Sequence, residues 1–225
     1  IEEILRVYGF NNIKTGSKLN ATISNSSRTE DYKVQNIIAN QLVSQGFNEI
    51  MANSLTTPTY STLVNELNEN NQVKILNPLS NDLSIMRQTL LFGGLESISF
   101  NINRKNTDLK YFEFGKTYAK TLVGYEENKH MTLFATGNIT QSNWNIKVQP
   151  MDFFTFKGYI EVALERLGIN KYNAKPTESD IFAERMSYFV RDRKILDFKI
   201  KKKSITKHFD IKQDVFYADF KWDNV

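Results

Sequence analysis

The chain has 225 residues, 40% of them hydrophobic and 24% charged, which is a globular balance and not a disordered one. It has no cysteine, which excludes disulfides and thiolate metal sites, and its only histidines, His130 and His208, are too few for a histidine-rich metal centre. A net charge of +4 permits a phosphate-rich partner without demanding one.

No apolar run approaches the ~20 residues that span a bilayer, and the N-terminus is not a signal peptide. The chain begins at Ile1 without Met and its first residues look mid-element, so it reads as a fragment of a longer protein. Ile1, Ile4, Leu5 and Tyr8 share one helical face, and Gly9 is a plausible stop. The polar stretch that follows has no periodicity; it predicts a linker over 14–28 and a domain boundary.

The clearest helix is predicted over 29–46. Val34, Ile37, Ile38 and Leu42 recur at helical spacing, Ala39 and Val43 widen the stripe, and Gly46 suits a C-terminal cap. "FNEIMANSLT" reads as a strand, "TPTYSTLVNEL" as a short helix, and "QVKILNPL" as a second strand stopped by Pro78. A polar loop then leads to Arg87. Leu91, Leu95, Ile98 and Ile102 predict a helix despite Gly93 and Gly94, a pair best read as close packing against a neighbouring backbone. There is no phosphate-cradling glycine spacing.

"LKYFEFGKTYAK" and "HMTLFATGN" predict an antiparallel pair joined by a loop, "TLVGYEENK". A helix is predicted over 152–168, with Asp152 near its start and Gly168 at its end. "RMSYFVRD", "KILDFKIKK" and "DVFYADF" read as short strands. The order predicts an α+β fold, an antiparallel sheet flanked by helices. Phe112, Phe114, Phe153 and Phe156 have core spacing. The run "KIKKK" (199–203) reads two ways, as a phosphate-tracking patch or, the favoured reading, as protection of an edge strand.

Several blocks, in order, resemble the beta subunit family of bacterial phenylalanyl-tRNA synthetases. They are "IEEILRVYGFNNI", Asn77-Pro78-Leu79-Ser80, Met86-Arg87, Leu90-Leu91-Phe92-Gly93-Gly94-Leu95, Asn101-Ile102-Asn103-Arg104, Phe112-Glu113-Phe114-Gly115-Lys116, "TGNITQSNWN" and "DFFTFKGYIEVALERLGI". The tail departs: "AERMSYFVRD" and "DFKIKKKSITKHFD" stand where the family shows a Gly-Arg-Ser-Ala-like strand and a Gly-Glu-Leu-His-Pro-like turn.

The resemblance implies a class II aminoacyl-tRNA synthetase-like fold over 29–225, with 1–13 as the end of a preceding small domain. It implies a cytoplasmic, two-plus-two complex with an alpha subunit that carries the active site, using ATP and Mg²⁺ to join phenylalanine to tRNA, with no membrane. Glu2 and Glu3 match acids of a family Mg²⁺ site, incomplete here, and no cofactor is expected on this chain alone. By the same resemblance, a subunit contact is expected at Val34 and Ile38 and at Arg87, taken as a loop residue that the core does not need.

The residues agree that catalysis is absent. A class II site grips phosphate with two arginines, whose planar fork binds bidentately. "YFEFG" has no arginine, no glycine follows Gly168, and no arginine follows Arg193. Two rivals stand beside the assembly reading. One is an active adenylate-forming enzyme of the same fold, the other a stand-alone RNA-binding module.

Overall fold

The computed structural model describes residues 1–14, 16, 18, 30–64, 67–140, 144–176, 182–201 and 203–225, with 182–185, 199–201 and 203–204 as backbone only. They divide into two units, Ile1–Glu30 and Asp31–Val225. Most of the expected linker 14–28 lies outside the described residues.

In the first unit, α1 spans Glu2–Tyr8 and ends at Gly9, whose φ of 86° belongs to the left-handed region that glycine tolerates. In the second, α2 (Asp31–Ser44) leads to β1 (Asn48–Glu49) and β2 (Leu55–Thr56). A 3₁₀ turn, Pro58–Leu63, precedes β3 (Ile85–Met86), α3 (Leu91–Ile102), β4 (Leu109–Thr121) and β5 (Gly124–Thr136). Then come α4 (Phe153–Arg166), β6 (Asn173–Pro176), β7 (Phe182–Val190), β8 (Arg193–Lys201), α5 (Lys203–His208) and β9 (Val215–Lys221).

The described strands form a seven-stranded sheet in the order β1-β4-β5-β9-β8-β7-β6, and a small ladder of β2 with β3. β1 runs parallel to β4; the other pairs are antiparallel. Side chains alternate between faces along each strand. One face carries Phe112, Leu133, Ala218 and Phe198 and is covered by Ile38 and Leu42 of α2 and Phe156, Ile160 and Leu164 of α4. Asp152 caps α4, its carboxylate accepting from the Thr155 N–H at 2.7 Å. The other face carries Tyr111, Phe134 and Tyr217 beneath Leu91, Phe92, Leu95 and Ile98 of α3, with Ile205 of α5. Gly94 explains part of the glycine pair: a Cβ there would lie 2.1 Å from the Phe134 ring.

The structure differs from expectation at several elements. "QVKILNPL" is not a strand; Lys74 alone makes a bridge, to Ile85. The presumed loop after β4 is itself strand, so β5 begins at Gly124 and pairs with β4 down to Thr121↔Gly124. The edge-protection reading of 199–203 is corrected. Lys199 and Ile200 lie in β8, paired with both β7 and β9, so this strand is interior. The side chains of 199–203, and all of Lys202, lie outside the described residues. No described helix is long and apolar enough to cross a membrane.

Candidate functional site

The face beneath α3 is not apolar throughout. One register row crosses it: Glu113 on β4, Thr132 on β5, Asp219 on β9, Asp197 on β8 and Ser187 on β7 are successive cross-strand partners. Paired residues point to the same face, so the row is a continuous polar seam across five strands. Glu113, Thr132, Ser187 and Asp197 are buried.

Burying a charge requires a partner, and each carboxylate in the seam has one. Arg87 donates from Nη1 to Glu113 Oε1 at 2.7 Å, to the Ala52 carbonyl at 3.2 Å and, from Nε, to the Lys116 carbonyl at 2.9 Å. The Ala52 N–H also donates to Glu113 Oε1 at 3.3 Å. Gly115 makes room for this clamp, since a Cβ there would meet Leu90 Cδ2 at 2.3 Å and Arg87 Nη2 at 2.5 Å. Burial pushes the Glu113 carboxyl above the usual carboxylate range, against the opposing pull of Arg87. His130 bridges two strands of the same face, with Nδ1 2.7 Å from Asp219 Oδ1 and Nε2 3.1 Å from Thr117 Oγ1. Ser187 donates to Asp197 Oδ1 at 2.6 Å, and Lys194 Nζ lies 2.9 Å from Asp197 Oδ2. Glu113 Oε2 and Thr132 Oγ1 are buried without a hydrogen-bond partner among the described residues.

The chemistry open to this seam is limited. Its acids are engaged by Arg87, His130, Ser187 and Lys194, and β4, β5 and β9 contain no arginine. The arginine that does reach β4 is neutralised there. Among the described side chains, this arrangement holds a sheet together, its acids tied to cations, an imidazole and a hydroxyl of the same fold.

The expected site residues are not brought together. Ile38 is completely buried in the core of its own chain, and Val34 is partly buried against that core. The exposed side of α2 is carried instead by Ile37 and Val43. The expectation that Arg87 stands in a loop the core does not need is corrected: it is 7% exposed and paired to Glu113, itself 1% exposed. A signal for this pair was present in the sequence. Glu113 sits between Phe112 and Phe114 in a strand apolar on both faces, in phase with Tyr111, where a carboxylate demands a cation. Asp197 and Asp219, also missed, stand in the same way among aromatic and aliphatic residues.

Glu2 and Glu3 sit on the exposed first turn of α1, with Glu2 Oε1 held by Arg6 Nη2 at 2.9 Å and Glu3 Oε1 3.9 Å from Arg6 Nη1. Mg²⁺ demands near-octahedral oxygen ligation. Among the described residues no group of three or more Asp, Glu or His side chains gathers to supply it. Two carboxylates turned to an arginine do not fit the ion.

Solved structures define the class. The chain superimposes on the pyrrolysyl-tRNA synthetase PylSc of Desulfitobacterium hafniense with a TM-score of 0.66 at 15% identity, covering 86% of this chain and 66% of that one. A second structure of pyrrolysyl-tRNA synthetase from that organism also gives 0.66, at 14% identity, covering 88% and 68%. The fold is that of a class II aminoacyl-tRNA synthetase. The family description "Phenylalanyl tRNA synthetase beta chain CLM domain" matches residues 17–222, and the chain belongs to this family. It is 41% identical to the phenylalanine–tRNA ligase beta subunit of Bacteroides thetaiotaomicron, with 99% of the chain and 29% of the relative aligned. To that of Porphyromonas gingivalis it is 36% identical, with the same coverage. To that of Chlorobium chlorochromatii it is 30% identical, covering 97% of the chain and 28% of the relative. The chain thus spans under a third of the length of the curated relatives it matches.

Proposed function

We propose that this chain is the non-catalytic, synthetase-like core of a phenylalanine–tRNA ligase beta subunit, and that it serves assembly with an alpha subunit. The carrying observation is the Arg87–Glu113 pair. In a domain of this class, the arginine that reaches the central hairpin is buried and neutralised by its own fold, while both faces of that hairpin are packed with apolar side chains. The domain contributes shape, and phosphate chemistry belongs to a different subunit. In this reading 29–225 form the core domain, 14–28 a linker and 1–13 the end of a preceding small domain. The whole ligase is a cytoplasmic two-plus-two assembly that uses ATP and Mg²⁺ and engages tRNA as a complex. The alpha contact falls on the α2 flank where Ile37 and Val43 are exposed, with Val34 at its edge.

The test has two arms. The chain alone gives no phenylalanine-dependent ATP–pyrophosphate exchange, whereas a reconstituted complex does. The chain co-purifies with the alpha subunit, and Ile37→Glu with Val43→Glu abolishes this without changing the chain's thermal midpoint. Exchange by the chain alone would overturn the non-catalytic reading. Undiminished co-purification of the double variant would overturn the placement of the contact.

A further inference from the structure

Two buried polar atoms of the seam belong to neighbouring side chains. Glu113 Oε2 and Thr132 Oγ1 have no hydrogen-bond partner among the described residues, and the two residues are 1% and 0% exposed. Glu113 and Thr132 are register partners on β4 and β5, so both project from one face of the sheet. The two oxygens of the Glu113 carboxylate are used differently. Oε1 takes the Arg87 and Ala52 donors. The chain leaving β1 towards Ala52 runs along the edge of β4 away from β5, where the Ile50 N–H donates to the Phe112 carbonyl at 2.8 Å. With Oε1 held on that side, the planar carboxylate leaves Oε2 turned towards β5 and Thr132.

Side-chain length makes room there. On this face Thr132 is flanked by Glu113 and Asp219 across the strands, and by His130 and Phe134 along its own. All four are longer, so the face dips at position 132, and the dip is closed to solvent because Thr132 is fully buried. Its rim is polar: a carboxylate oxygen needs a donor, and a hydroxyl can donate and accept. The two atoms are not bonded to each other, so a group that satisfies both must donate to Oε2 and pair with the hydroxyl at once. The smallest molecule able to do so is water.

We propose that the seam encloses an internal water site, whose water donates to Glu113 Oε2 and is hydrogen-bonded to Thr132 Oγ1 as a fixed part of the fold. Two polar partners meet the lower bound for an internal water. An anion would meet the carboxylate, and an apolar molecule would leave both atoms unpaired. Among the described residues no group of three or more Asp, Glu or His side chains gathers here to hold a metal ion. The proposal rests on the seam and not on the assembly role.

Thr132→Val keeps the shape of the side chain and removes the hydroxyl, so the sign of its effect reads the site. Where the hydroxyl is bridged by water, its removal strands Glu113 Oε2, and the urea midpoint falls. Where the hydroxyl is simply unpaired, a methyl group in its place is favourable, and the midpoint rises. A fall is expected. A crystal structure of the chain, at a resolution that shows ordered water, provides the second measurement. It should place density within hydrogen-bond distance, ~2.6–3.2 Å, of both atoms, and the crystal structure of Thr132→Val should lack that density. A midpoint that rises or stays, an absence of density beside the two atoms in the wild-type chain, a direct Glu113–Thr132 bond, or density unchanged in the variant would each overturn the proposal.

Discussion

Phe134 occupies the space that a side chain at position 94 would need. Its ring carbons lie 2.1–2.5 Å from where the Gly94 Cβ would be, and the ring is fully buried against Tyr217, with centroids 4.9 Å apart. Helix α3 therefore packs its own backbone directly against that ring. Gly94→Ala gains ~1 kcal/mol of helix propensity but forces a buried ring to move, at ~1–3 kcal/mol, so a net loss of stability is expected. Gly158, in α4, has open space around its missing Cβ, and Gly158→Ala is expected to stabilise by ~0.4–1 kcal/mol. Urea midpoints of the two variants should move in opposite directions. A shift of the same sign in both would contradict the packing account.

Arg87→Ala leaves a buried carboxyl without its cation, and the Lys116 and Ala52 carbonyls without a donor. A loss of ~3–5 kcal/mol is expected, the usual result of removing one partner of a buried pair. Replacing Glu113 by Gln in the same chain should recover part of that loss, because the uncompensated charge is gone. A double-mutant cycle by chemical denaturation measures the coupling, and independent, additive effects would rule out the clamp.

Asp31 ties the start of α2 to β5 and to the turn that follows β9, the sheet neighbour of β5. It accepts from Lys129 Nζ and, at 2.7 Å, from Trp222 Nε1, and these bonds hold its carboxyl below the usual value of 3.8, Lys129 contributing most. A depressed acid stabilises the fold above its unfolded value and loses that contribution as pH falls through the folded value. Stability should therefore decline as pH drops below about 4, and Asp31→Asn should shallow that decline. Glu113 acts with the opposite sign: its raised folded value makes the fold relatively more stable as pH falls through that range. Urea midpoints between pH 6 and pH 2 test this. Parallel curves for the wild-type chain and Asp31→Asn would count against the assignment.

Calorimetric titration of Mg²⁺ into the chain is expected to show no saturable binding at micromolar concentration, because Glu2 and Glu3 face Arg6 and not each other's open coordination sites. Glu2→Gln should leave the trace unchanged. Micromolar binding abolished by that substitution would restore the metal reading.

What could be read from the sequence depended on length and period. α2, α3 and α4 announce themselves because each repeats its apolar stripe over three turns or more. β4 is legible through its β-favouring aromatic run, Tyr111, Phe112 and Phe114. β1, β3 and β6 are two to four residues long and exist because a neighbour supplies hydrogen bonds, information no local window holds. The first half of β5, "GYEEN", is polar enough to pass for a loop and is strand only through its register with β4. The seam was hidden for a similar reason. Arg87 and Glu113 are 26 positions apart, and each alone looks like an ordinary surface charge. The carboxylate's phase within an apolar strand was the available clue.

The place of β9 bears on how the chain comes to be folded. It lies between β5 and β8 in the sheet, yet Thr136, at the end of β5, and Asp214, just before β9, are 78 positions apart and joined by a hydrogen bond. Until β9 is made, β1-β4-β5 and β8-β7-β6 are two half-sheets, each with a bare inner margin. At ~5–20 residues per second of synthesis, the margin of β5 waits roughly 4–16 s outside the ribosome for its neighbour. The strand that closes the sheet arrives last of those described, so a nascent chain stalled before Val215 would present two unpaired margins, the state in which chaperones or aggregation partners find it.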